Sequence, residues 1–166
     1  MRLVLIVPLA LLAACATSIG GLPAPHYADA ASRGALASLL AGRPTQAQVD
    51  RAAENWSHAI GDSVACGVPM RQVIDAGLVG ALEMGAMNAA MSRGEAAEVR
   101  AGVRTYLGRL VSLVGENRPR PSESRCNTLA DWAPRTADAG REAVARARRN
   151  GLMDNEYGVL LDLLSR

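Results

Sequence analysis

PMRQVIDAGLVGALEMGAMNAAMS, residues 69–92, carries almost no polar face when wound at 100° per residue. Met70, Val73, Met84, Met87 and Met91 fall on one side, Ile74, Leu78 and Leu82 adjoin them, and Gln72, Asp75 and Glu83 make the single polar strip. A helix with so narrow a polar face reads as the central member of a helical bundle. Gly77, Ala81, Gly85 and Ala89 recur every four residues, which removes bulk and lets a second helix approach closely. In a bilayer such a series suggests dimerisation, but Asp75, Glu83 and Asn88 speak against that setting. The four methionines could also line an adaptable groove, although such a stripe more often belongs to a core.

The flanking segments repeat the helical rhythm. Between Thr45 and about Ala65, Val49, Ala53, Trp56, Ile60 and Val64 form one apolar stripe, and Cys66-Gly67-Val68-Pro69 closes that helix. After Arg93-Gly94, the residues Ala96, Val99, Val103, Tyr106, Leu110 and Leu113 alternate spacings of three and four up to Gly115-Glu116-Asn117. An earlier helix is expected near Ala28 to Leu40, ended by Gly42-Arg43-Pro44. Residues 116–127, ENRPRPSESRCN, read as one long irregular loop, followed by a short turn TLADW and a helix from Pro134 to about Asn150. In the last stretch, RNGLMDNEYGVLLDLL, Gly151 can end one helix and Asp154 can cap another. With Gly151-Leu152, Asp154 and Glu156-Tyr157 in order, it resembles the hairpin of the short bacterial C-terminal modules called SHOCT, a likeness of hairpin grammar from which no function is carried over. The expected fold class is all-α: a single-domain bundle of five to six helices, stapled by one disulfide, with a C-terminal helical hairpin.

The N-terminus supplies an address. Met1-Arg2 is followed by a run from Leu3 to Ala16 of 14 residues without a charge, the layout of a secretory signal and short of the roughly 20 residues a bilayer-spanning helix requires. Leu12-Ala13-Ala14-Cys15 resembles the lipobox of bacterial lipoproteins. That resemblance implies cleavage before Cys15, a diacylglycerol on its sulfur, and, with Ala16 rather than aspartate next, an anchor on the periplasmic face of the outer membrane. Ala14-Cys15-Ala16 also satisfies the ordinary A-x-A cleavage pattern, which would leave a soluble periplasmic protein. The expected organisation is a signal peptide over residues 1–14, a lipidated cysteine and flexible tether over 15–27, and an all-α periplasmic domain over 28–166.

Setting Cys15 aside leaves Cys66 and Cys126, an even pair in a compartment that permits disulfides. The pair would close a loop worth on the order of 4 kcal/mol in the chain-entropy model; the alternative is two buried thiols. No C-x-x-C redox motif is present. The basic residues are all arginine, so there can be no pyridoxal Schiff base, no P-loop lysine and no lysine general base. A formal net charge of +2, part of it Arg2 of the leader, gives no support for nucleic-acid binding.

Few residues suggest chemistry. His58 has Glu54 and Asp62 four positions to either side, so a carboxylate could orient its imidazole. The same projection puts it opposite Trp56 and Ile60 with Arg51, Glu54 and Asp62, a solvated surface. Glu83, set among Leu82, Met84 and Met87, could be a carboxylate with a raised pKa; its simpler place is the exposed edge of its helix, beside Gln72 and Asp75. Serines lack a G-x-S-x-G context, and no metal-ligand spacing or cofactor motif is present. Arg118, Arg120 and Arg125 sit on the irregular loop, where they could meet an anion or a partner, or simply be solvated. Arg146, Arg148 and Arg149 suit the C-terminal end of a helix dipole.

With no catalytic constellation, the leading expectation is a lipid-anchored, non-enzymatic accessory or assembly subunit of an envelope protein complex. It is held to the membrane by its N-terminal lipid, takes no cofactor or metal, and binds no nucleic acid. A small-ligand, cell-wall or anion binder is the second class, a disulfide-stapled helical periplasmic chaperone the third, and an enzyme the last.

Overall fold

Thr45 sets the first boundary. Its hydroxyl accepts a hydrogen bond from the Gln48 amide at 3.3 Å while the Gln48 side chain accepts from the Thr45 amide at 2.7 Å, so two of the helix's orphan donors are satisfied reciprocally. The computed structural model describes residues 21–24, 44–92, 96–116 and 118–149. Within them lie four helices, α1 (Gln46–Ala65), α2 (Met70–Ser92), α3 (Ala96–Gly115) and α4 (Glu123–Arg149), and all the regular structure they form is helical. The expected helix at 28–40 and the C-terminal hairpin lie outside the described residues.

The chain turns sharply after α1. Gly67 takes a φ of 78°, which a side chain would strain, and its amide reaches back to the Val64 carbonyl at 3.0 Å. The next helix, α2, packs against each of the other three, and α1 also meets α3 and α4. Its length and apolarity would suit a bilayer, but 72% of its most apolar window is buried within the bundle. The expectation of a central helix holds.

Trp56 of α1, Tyr106 of α3 and Leu129 and Trp132 of α4 surround Val79, Leu82 and Met84 of α2 as the buried core. The two indoles pack at 5.8 Å between centroids with their planes tilted by 51°, an arrangement favoured by the ring quadrupoles. Helix approach is governed by glycines. Gly80 of α2 lies under the Tyr106 hydroxyl and 2.9 Å, measured from where a Cβ would stand, from the Trp56 ring; Gly140 of α4 receives Val79 and Gly102 of α3 receives Asn88. The four-residue small stripe contributes Gly77, against Leu110, but the tightest approach is at Gly80, outside that stripe.

Three expectations are corrected. First, α4 begins at Glu123, not at Pro134, so TLADW is helical and the irregular segment is limited to 116–122. The Ser122 hydroxyl accepts from the Arg125 amide at 3.3 Å and starts the helix early. Pro134 removes one internal hydrogen bond, but Leu129, Trp132, Ala133 and Ala137 around it are buried, and their packing carries the helix through. Second, Glu83 is not at an exposed edge: it is buried at 4% exposure and makes an interaction of its own. Third, Met70 and Ile74 are 51% and 54% exposed although Val73 and Ala76 between and beside them are buried, because they lie on a flank of α2 that the other described helices leave open.

The segment read as tether is also docked, at Leu22 and Pro23. Leu22 is 1% exposed within the core, and the Trp132 indole N–H donates to the Pro23 carbonyl at 2.8 Å. A buried indole needs an acceptor, and an apolar leucine beside a proline supplies both packing and a free carbonyl.

Replacing Gly80 with alanine should destabilise the fold by about 1–3 kcal/mol despite the better helix propensity, because the new methyl overlaps an aromatic ring. Gly108→Ala, where nothing lies within 4 Å, should stabilise by up to about 1 kcal/mol; urea midpoints of the two variants read both signs. Tyr106 is fully buried and its phenol donates to the Gly77 carbonyl at 3.3 Å, and burial raises its pKa well above 10.0. The contribution of that neutral phenol is therefore whole below pH 10.0 and is lost as pH rises beyond it. Unfolding free energy measured between pH 8 and 11 should fall steeply at the alkaline end, and the Tyr106→Phe variant should lose that extra fall.

Candidate functional site

Glu54, His58, Asp62 and Cys66 are spaced by four along α1, so they form a single line on one side of that helix. The segment 118–126 lies along the line. Cys66 is bonded to Cys126, 60 positions later in sequence, with Cα atoms 5.3 Å apart. The bridge pins the first turn of α4 to the end of α1, as the even cysteine pair leads one to expect.

Asp62 then gathers the two nearest arginines. Arg125 reaches its Oδ2 at 3.4 Å and Arg118 its Oδ1 at 3.9 Å, all three side chains being partly buried. Arg125 belongs to the first turn of α4, where a cation is unfavourable to the helix dipole, and the Asp62 carboxylate offsets it. Arg118 lies flat over Gly61: any Cβ there would collide with the guanidinium. Its Nη2 points at His58 Nδ1 at 3.2 Å. A guanidinium can only donate, so the His58 proton sits on Nε2, which faces Glu54 Oε1 at 3.7 Å. In this neutral tautomer the imidazole's one accepting nitrogen is occupied by Arg118, and His58 stands between Arg118 and Glu54 as a spacer rather than as a general base.

Of the sequence candidates, the fold brings together His58, Asp62, Arg118 and Arg125. Arg120 is exposed, and Glu83 is buried on a different helix. Two of the three arginines proposed as an anion clamp are committed to Asp62. Cys15, Arg146 and Arg148 are not among the side chains described.

A groove of about 230 Å³ runs beside this line, between α1 and the C-terminal half of α3. It is walled by Glu54, Ser57 and His58 on one side and Arg109, Ser112, Leu113 and Glu116 on the other. Ser57 is 3% exposed and its Oγ has no hydrogen-bond partner among the described residues. Buried hydroxyls are ordinarily bonded, and Ser63 on the same helix donates to the Ala59 carbonyl at 2.7 Å. Ser57, Arg109 and Ser112 had no signal in the sequence: each is an ordinary helix-surface residue until α1 and α3 meet. The groove offers one cation, two carboxylates, a histidine N–H and two hydroxyls, which suits a polar or zwitterionic group better than a simple anion. Among the described residues no group of three or more His, Cys, Asp or Glu is arranged to hold a metal ion.

Comparison with known proteins adds no relative: the chain matches no family model, no curated protein and no solved structure.

Asp62→Asn should cost about 1–2 kcal/mol, since it leaves two partly buried guanidinium groups facing each other without a counter-ion. The loss, read from urea unfolding, should shrink as salt concentration is raised.

Proposed function

We propose that this chain is a lipid-anchored periplasmic helical protein that acts by binding, as a non-enzymatic accessory or assembly subunit of an envelope protein complex. The observation that carries this reading is the Cys66–Cys126 bridge. Such a cross-link persists in oxidising compartments, and it agrees with the independent signal at Leu12-Ala13-Ala14-Cys15. The complete domain on this reading has five to six helices, the described four together with a helix near 28–40 and the C-terminal hairpin. Its contact with a partner is the α1–α3 groove, where the buried Ser57 hydroxyl lacks a protein acceptor and Arg109 and Glu116 stand at the rim. Truly catalytic use of His58 is disfavoured by its bond to Arg118.

The same unbonded hydroxyl favours a second reading, a small polar ligand of the cell wall or envelope seated in the groove. Affinity isolation of the chain from gently solubilised envelopes, with and without Arg109→Glu and Ser112→Arg, tells the two apart. A protein partner recovered with the wild type and lost from the double variant supports the subunit. A chain recovered alone, but stabilised against heat by purified wall fragments, supports the ligand and removes the subunit.

A further inference from the structure

On the side of the α2–α3 seam away from α1, the four described helices leave apolar side chains uncovered. Gly77 meets Leu110, Gly80 meets Tyr106, and Asn88 meets Gly102, so the two helices run antiparallel with α2 numbers rising as α3 numbers fall. In that register Ile74 is level with Val111. Ile74 lies about 60° around α2 from Gly77 and Val111 about 100–140° around α3 from Leu110 and Tyr106, both on the flank opposite to the groove with α1. Val111 is 74% exposed, Ile74 54%, Met70 51% and Leu107 37%. Arg71 follows Met70 at one end of this stripe and Arg104 precedes Leu107 by one turn at the other, both exposed. The nearby acids are turned elsewhere: Asp75 is paired with Arg141 of α4, Glu83 is buried, and Glu116 lines the α1–α3 groove.

An apolar stripe flanked by arginines and cleared of carboxylates is the pattern of a surface that lies on anionic lipid. The position of the chain's start points the same way. Leu22 is fixed in the core, and the roughly seven residue steps back to Cys15 span at most about 25 Å. A domain of this size is about 35 Å across. A lipid on Cys15 therefore holds the domain against the bilayer and not at a distance from it, so some face of it must meet headgroups.

We infer that the Met70–Ile74–Leu107–Val111 stripe, with Arg71 and Arg104, is a membrane-docking face that rests on anionic phospholipid. The inference builds on the proposal that Cys15 is lipidated, and it adds an orientation: the α1–α3 groove, on the opposite flank, is presented away from the membrane toward a partner. Lipid and protein contacts then use separate surfaces.

The test uses the full chain purified from envelopes with its own processed N-terminus, carrying an environment-sensitive fluorophore at Val111→Cys or, as control, at exposed Ala47→Cys on α1. Each is reconstituted into vesicles of phosphatidylcholine alone or mixed with phosphatidylglycerol. Docking predicts a blue shift and quenching by lipid-borne nitroxide at position 111 on the anionic vesicles, little change at position 47, and loss of the effect in Arg71→Gln/Arg104→Gln. The double variant should reduce the docked-to-undocked ratio roughly 30-fold, about fivefold for each arginine. An unresponsive label at 111, an equal response at 47, or an equal response on neutral vesicles overturns the proposal. So does shielding of position 111 that rises with protein concentration in the absence of lipid, which would make the stripe a contact between copies of the chain. Intact mass of the same sample reads the acyl chains separately: if they are absent, the anchor reading falls, and flotation of the unanchored protein with anionic vesicles then decides the face by itself.

Discussion

Tyr106 and Trp56 meet over Gly80, and most of the bundle depends on that contact. With hydrogen in place of a side chain at this point, α2 admits an aromatic ring from α1 and a phenol from α3 at the same level. The phenol finds an acceptor in the Gly77 carbonyl, one turn earlier. Trp56 in turn packs on Trp132, which brings α4 onto the same layer, and Trp132 holds the Pro23 carbonyl. One missing methyl group thus lets four segments converge on a single layer. Helices that approach this closely exclude water from the aromatic atoms and gain dispersion contacts that a wider spacing would forfeit.

The opposite requirement is met along the exposed side of α1. There the contacts are polar and need a covalent bond to keep them in place. The disulfide brings the start of α4 to the end of α1, and only then can Asp62 stand between Arg118 and Arg125. In water such pairs contribute little; here they are partly buried, and they set the path of residues 118–122 and the tautomer of His58. An arrangement that resembles a catalytic relay when read as a list of residues is, by its hydrogen-bond directions, a clamp. Gly61 matters to it as Gly80 matters to the core, since a side chain there would displace the Arg118 guanidinium.

These two layers leave separate surfaces for function. The α1–α3 groove keeps a buried hydroxyl without a partner, a cost that a bound group would relieve. The far side of the α2–α3 seam keeps apolar residues in water, a cost that a membrane or a protein would relieve. These two features are what support the proposal that the protein works by binding.

The amino-acid sequence by itself determined that α1, α2 and α3 are helices and that residues 69–92 lie at the centre, and it made a Cys66–Cys126 bridge the expected pairing, because each rests on local periodicity, capping or count. The Trp56 stripe and the ends of α1 and α3 could be read directly. Three matters could not be: the continuity of α4 through Pro134, the burial of Glu83, and the docking of Leu22. Each depends on packing against residues distant in the chain, and packing overrides the local preference of a proline, a carboxylate or a proline-rich tether. The site divides in the same way. His58 and Asp62 are visible as an i,i+4 pair, whereas their guanidinium partners arrive from some 60 residues away. Only the tertiary structure decided that Gly61, Gly80, Gly102 and Gly140 are places of close approach, since a glycine in a helix records a vacancy and the neighbour that fills it comes from another part of the chain.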